Sequence, residues 1–411
     1  MMNQDSKKAP VLRFKGFSDD WEQRKLGEVA TFHNGDRGRN YPQESELVKI
    51  GIPFINAGDL INGKIDTNNC KKITPDKFNS LRGAKLKIGD IVYCLRGTLG
   101  KNAINLDVSI GTIASSLVLI RPVKINNHYL FQILNSDVGN KQILKFDEGA
   151  VQPNLSVKNL RKFVIPYASK LEQDKIAKLM SLISENLTLQ QRKLKQLKSF
   201  KKGITQQLIN SKSDDWIEYN FLDLIEKIID FRGKTPKKLK STWSTKGHIA
   251  LSALNVKQGY VDKNASVHFG NDDLYKIWMT GNELYQGQVL LTTEAPVGNV
   301  AQVPDNEKYI LSQRVIALVP NEKLITNDFL AFILSTPRVQ NDLQRLATGG
   351  TAQGISQRSL KHLKITIPKN LENQIRITNI VNNINENLMD LDLQINNCKK
   401  IKKFLLQNMF I

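Results

Sequence analysis

The stretch Leu171–Ile209, LEQDKIAKLMSLISENLTLQQRKLKQLKSFKKGITQQLI, decides the fold. Apolar residues recur at Ile176, Met180, Ile183, Leu187, Leu194, Leu197, Ile204 and Leu208. Only Gln190 and Lys201 interrupt this a/d seam, and no proline breaks it. The spacing predicts one helix roughly 58 Å long, with an apolar stripe that needs a partner.

That partner lies in the same chain. From Leu371 to the C-terminus the spacing returns at Ile377, Val381, Ile384, Leu388, Leu391, Ile395, Cys398, Leu405 and Met409, interrupted by Lys402. An offset of 201 places Lys402 on Lys201 and Glu386-Asn387-Leu388 on Glu185-Asn186-Leu187. A parallel, in-register pair would set the two ammonium groups side by side, partly out of water. An antiparallel pair sets Lys402 against Ile183 and Lys201 against Ile384, where each stem lies along the seam and each head reaches solvent. About 160 residues lie between the helices, enough for a domain whose ends meet, so the second helix is expected to run back along the first.

The rest of the chain repeats as well. Ser18-Asp19-Asp20-Trp21 recurs as Ser213-Asp214-Asp215-Trp216, and the match continues at slowly drifting offsets, as loop insertions would cause. Arg37-Gly38-Arg39 aligns with Arg232-Gly233-Lys234, Gly89–Tyr93 with Gly287–Leu291, Leu117–Pro122 with Val315–Pro320, and Gly149–Ser156 loosely with Gly350–Ser356. Ile91–Tyr93, Ser116–Ile120, Phe163–Ile165, Val289–Leu291 and Val315–Val319 read as strands, Tyr129–Asn135 and Phe329–Ser335 as helices. The expected fold class is α+β: two pseudo-two-fold-related globular recognition domains separated by two long antiparallel coiled-coil helices. The expected divisions are a basic leader at 1–20, module one at 21–169, a helix at 170–212, module two at 213–369 and a helix at 370–411.

With 411 residues, 40% apolar composition and a net charge of +20, the chain suits a polyanionic partner, and double-stranded DNA fits a pseudo-symmetric pair of modules. No signal peptide and no apolar run of membrane length occur, so a cytoplasmic location is expected. The three cysteines form no CxxC pair and the five histidines show no ligand spacing, so no metal is expected. Neither an amino-methylation tetrapeptide nor a GxxxxGK[ST] loop occurs: Gly97–Lys101 is too short and Asn102 follows it. No catalytic residue and no cofactor site is therefore expected.

Candidate DNA contacts are Arg37, Arg39, Arg232, Lys234, Lys237 and Lys238, in loops where glycine allows close approach to phosphate. Arg96, Lys101 and Arg314 join them, because arginine to guanine is the commonest specific pairing. Gln152 and Gln353 stand in corresponding loops, where they either read adenine or stabilise the turn. The loops Arg96–Lys101 and Glu294–Asn299 differ, so the two half-sites should differ too.

The leader PVLRFKGFSDDW (Pro10–Trp21), DFRGKTP (Asp230–Pro236), GQVLLTTEAPVGNVA (Gly287–Ala301), TGGTAQGIS (Thr348–Ser356) and the helix starts at Leu171 and Leu371 carry a family resemblance. In their order, repeated twice, the chain resembles the specificity subunit of type I restriction-modification enzymes. The resemblance implies a non-catalytic subunit that places two methyltransferase subunits on a split adenine-methylation target, with restriction/translocase subunits joining that core. S-adenosylmethionine, ATP and magnesium would then sit on the partner chains, and the helices would dock the methyltransferases and set the gap. Module one departs from the pattern, with Asp36-Arg37-Gly38-Arg39-Asn40-Tyr41-Pro42 where module two has Arg-Gly-Lys-Thr-Pro. The competing reading is a basic coiled-coil scaffold that binds DNA or RNA and guides no methylation.

Overall fold

The structure is a computed structural model that describes residues 9–147, 149, 153–210, 215–265, 268–349 and 353–410, with the side chains of 208–210 left out. It divides into two compact units. One is formed by residues 1–193 together with 391–411, the other by 194–390.

In the first unit an antiparallel four-stranded sheet runs in the order Ala30–Asn34, Leu117–Pro122, Ile91–Cys94, Asn102–Ile104. Its central strand, LVLIRP, is apolar on both faces and is covered on both, as near-continuous burial of Leu117–Ile120 shows. One face packs on the helix Asn127–Leu134 and the other on a second small sheet, where Ile52–Ile55 pairs in parallel with Thr112–Ile113. Glu22–Lys25 pairs antiparallel with Val164–Tyr167, so the module's two ends meet just before the long helix begins.

The second unit repeats this plan. Its sheet runs Ile225–Asp230, Val315–Pro320, Val289–Thr293, Val297–Gln302, backed by the helix Asn327–Leu334. A second sheet pairs His248–Leu251 in parallel with Ile310–Leu311, and Trp216–Asn220 with Lys364–Pro368 closes the module. The strands and helices expected at these positions are all present.

The two long helices run Lys170–Asn210 and Leu371–Asn408. Ile176, Met180, Ile377, Val381, Ile384, Ile395, Leu405 and Met409 are buried, and Ile183, Leu187, Leu194, Leu197, Ile204, Leu388, Leu391 and Cys398 are half-buried. Leu208 lies outside the described side chains. The pairing is antiparallel. In the first unit Cys398 Sγ contacts Ile183 O at 3.8 Å, Lys402 Nζ donates to Ser184 Oγ at 2.9 Å, and Gln190 Nε2 donates to Gln394 Oε1 at 3.3 Å, so one number rises as the other falls. Burial lowers the pKa of both seam lysines, Lys201 and Lys402, since a charged ammonium loses hydration there.

The leader is more than a basic tail. Glu172 is fully buried at the start of the long helix and accepts from Arg13 Nε at 2.7 Å, Arg13 Nη2 at 2.9 Å and Trp21 Nε1 at 2.9 Å. The Leu12 amide donates to Asn408 O at 2.9 Å, and Phe410 packs on Tyr129 in the same core. Leader, first module, helix start and helix end thus share one hydrophobic core. Among the described residues, no helix is long and apolar enough to cross a membrane.

Candidate nucleic-acid interface

In each unit the antiparallel register brings four chain segments to one end of the main sheet. In the first, Asn34 pairs with Val118, Leu117 with Cys94 and Tyr93 with Asn102, so the segments after Asn34, before Leu117 and between Cys94 and Asn102 emerge together. The segment ending at Leu155 joins them: Leu155 N donates to Leu95 O at 3.0 Å and Leu95 N to Ser116 O at 2.9 Å. In the second, Ile355 N donates to Thr293 O at 2.8 Å and Thr293 N to Arg314 O at 2.9 Å, the same frame. Cross-bridges Arg96↔Asn154 and Glu294↔Gly354 fix the outer position of each frame. This rim gathers, within each unit, the loops that carry most of the candidate contacts.

In the first unit Arg37 and Arg39 are exposed, on either side of Gly38 at φ +66°. That left-handed turn is open to glycine and costly for other residues, and it turns both arginines outward without a Cβ between them. Arg37 Nη2 reaches Ser115 O at 3.5 Å, so the guanidinium is only loosely held. Arg96 is exposed, with no side-chain partner among the described residues. Lys101 is half-buried and donates to Ala57 O at 2.7 Å, tying its hairpin to the turn that follows Ile52–Ile55. Gln152 lies outside the described residues.

In the second unit the corresponding loop is held more tightly. Arg232 Nε donates to Asp230 Oδ2 at 2.9 Å, Arg232 Nη1 to Ile355 O at 3.2 Å, and Gln357 Nε2 donates to the same Asp230 oxygen at 2.8 Å. Burial alone pushes the Asp230 carboxyl up, but these hydrogen bonds outweigh it and leave it below the usual carboxylate range. Lys234 Nζ donates to Trp278 O at 2.8 Å and lies over the Phe231 ring, and its burial lowers its pKa. Lys238 Nζ donates to Gly233 O at 2.7 Å, while Lys237 is exposed. Arg314 is exposed, and its Nε lies 3.3 Å from Glu294 Oε2. Gln353 is exposed beside Gly354.

The two arginine loops therefore share a glycine turn but not their contacts. Asp36 turns away from Arg37 and accepts from the amides of Arg82 and Gly83 at 3.2 and 2.6 Å, whereas Asp230 clamps Arg232. The inserted Phe231 makes this difference: it lengthens the Asp-to-Arg spacing by one residue and lets the side chains meet. Glu294, Gln357 and the exposed Arg82 escaped the reading of the sequence. Glu294 was legible only as the point where two aligned loops diverge, and Arg82 carries no local signal. Among the described residues no cluster of His, Cys, Asp and Glu suits a metal ion.

Comparisons with known proteins agree on one family. The model described as "Type I restriction modification DNA specificity domain" matches residues 18–199 and again 213–398. A putative type I restriction enzyme MjaX specificity subunit of Methanocaldococcus jannaschii is 23% identical over 372 residues, covering 85% of this chain and 83% of that protein. A putative type I restriction enzyme specificity subunit of Haemophilus influenzae is 23% identical over 371 residues, covering 88% and 86%. Among solved structures, the S subunit of a type I restriction-modification system from M. genitalium superposes with a TM-score of 0.67 at 14% identity, covering 98% of this chain and 99% of that one; this shows the shared fold.

Proposed function

The chain belongs to the type I restriction-modification DNA specificity family, and we propose that it is a non-catalytic subunit that reads a two-part, asymmetric duplex target. Each module contributes one half of the reading. The observation that carries this is the repeated rim: two modules built on one hydrogen-bond frame present different side chains at the same sheet end. A single non-specific polyanion binder needs no such frame held constant beneath changed side chains.

The rim's chemistry suits duplex DNA. Arg37, Arg39 and Lys237 are exposed cations on glycine- or proline-marked turns, fit to grip phosphates and set orientation. The side chains of Arg96 and Glu294, at the outer frame positions, are fit to meet base edges in the major groove.

The long helices supply the docking surface for two methyltransferase subunits. Outside the seam they expose Leu182, Leu189, Ile401 and Phe404 in the first unit, and Phe200, Ile380 and Met389 in the second. Apolar side chains at this density on a two-helix surface call for a protein partner. Methyl transfer to adenine, with the base flipped out of the stack, belongs to that partner together with S-adenosylmethionine. Restriction/translocase subunits, with ATP and magnesium, join the same core in the cytoplasm.

Methylation mapping of cells that carry this chain with its methyltransferase, with and without deletion of the gene for this chain, tests the proposal. One split, asymmetric adenine motif should vanish on deletion and return on complementation. An unchanged methylation pattern would contradict it.

A further inference from the structure

The common frame identifies two positions per module where the modules differ in charge. Arg96 and Ser116 occupy them in the first module, Glu294 and Arg314 in the second. Equivalence is set by the backbone, through Leu95 N to Ser116 O and Thr293 N to Arg314 O, both at 2.9 Å, and through the matching bridges Arg96↔Asn154 and Glu294↔Gly354. The arginine has changed sides of the seat, and an acid has taken its former place.

Three features of the second seat go together. Arg314 has φ +67° and Ala295, next to Glu294, has φ +48°, left-handed backbone that non-glycine residues adopt at a cost and that clusters at functional sites. The side chains remain accessible, with Arg314 54% and Glu294 33% exposed. The contact between them runs through Arg314 Nε, and no hydrogen bond engages the terminal guanidinium nitrogens among the described residues.

A carboxylate 3.3 Å from the guanidinium makes this a poor phosphate site, because it repels a phosphodiester. A base edge is different. The G·C pair offers two acceptors, guanine O6 and N7, beside a donor, the cytosine N4 amino group, and among the four base pairs this pattern matches a fork of donors next to an acceptor. Resting on the functional reading above, we propose that Glu294 and Arg314 together read one G·C pair of the second half-site, with the Arg314 terminal nitrogens donating to guanine and Glu294 accepting from cytosine. Arg96 and Ser116, which lack the acid, read a different pattern at the equivalent place in the first half-site.

The test uses the full chain with its methyltransferase in cells, reading motifs by methylation mapping and then measuring methylation of a duplex panel with every base pair of the second half-site substituted in turn. Arg314→Ala and the isosteric Glu294→Gln should relax discrimination at one and the same G·C position by about ten- to a hundredfold. Every other position, and the whole first half-site, should keep its preference. Glu294→Gln keeps the test valid if Arg314→Ala fails to fold. An unaltered motif in Glu294→Gln, an equal loss across all sequences, or a second half-site without a required G·C pair would overturn the inference and leave the functional reading standing. Failure of the unsubstituted chain to yield any two-part motif would overturn both.

Discussion

Lys402 and Ser184 meet across the helix pair, the ammonium donating to the hydroxyl at 2.9 Å one residue from Ile183. The antiparallel register puts Lys402 beside Ile183 as expected, but its ammonium, expected to reach solvent, is partly buried and held by the hydroxyl instead. Because burial lowers its pKa, the charge at Lys402 costs stability at neutral pH, and Ser184 offsets part of that cost. Ser184→Ala should destabilise the chain by about 1 kcal/mol. Lys402→Met should stabilise it by a similar amount, since about one buried charge is exchanged for apolar packing. Once Lys402 is methionine, Ser184→Ala should have almost no further effect; denaturant unfolding of the four variants checks this coupling.

Glu172 joins parts of the chain that are far apart in sequence. It holds the half-buried Arg13 and the buried Trp21, so Glu172→Gln leaves a largely desolvated guanidinium without its charge partner. The expected loss is about 3 kcal/mol. Hydrogen exchange should show residues 10–21 and the helix start opening together, while the second unit keeps its protection.

The helices were legible because an apolar seam that returns about every 3.5 residues over a long, proline-free run fits a paired helix and neither a strand nor a loop. The repeat was legible because Ser-Asp-Asp-Trp recurs intact. The role of the leader was not. Arg13 and Glu172 are 159 residues apart, and no local pattern marks a carboxylate for burial. The candidate site was legible in part: composition and glycine turns marked loops that the fold gathers at one sheet end in each unit, but not which of their cations are free. Lys234 and Lys238 read like phosphate ligands, yet their ammonium groups hold backbone carbonyls, Lys234 through a tertiary contact with Trp278 and Lys238 through the fold of its own loop onto Gly233.

Asp230 gives the second module's arginine loop a defined pH range. Its folded-state pKa lies below that of the unfolded chain, so its stabilisation is complete above the ordinary carboxylate range and is lost as pH falls through the lowered value. The Arg232 Nε–H signal in NMR spectra should stay protected from exchange between about pH 7 and 5 and lose protection only below about pH 4. Asp230→Asn should abolish that dependence.

Exposed and engaged cations should separate in salt titrations of DNA binding by the assembled complex. Arg37→Ala and Lys237→Ala should each weaken binding to all sequences alike and lower the slope of log K against log salt by about 1. Lys101→Ala should leave the slope unchanged and instead lower stability, because its ammonium ties Ala57 to the hairpin.

The most direct measurement of the central claim is methylation, by the reconstituted complex with its methyltransferase, of duplexes that keep both half-sites while the gap between them varies one base pair at a time. The proposed two-part reading predicts a single preferred gap, because each added pair shifts one half-site by about 3.4 Å and turns it by about 35° around the duplex. Methylation should fall by an order of magnitude or more on either side of that gap. Equal methylation across gap lengths, or full methylation with one half-site scrambled, would contradict the account.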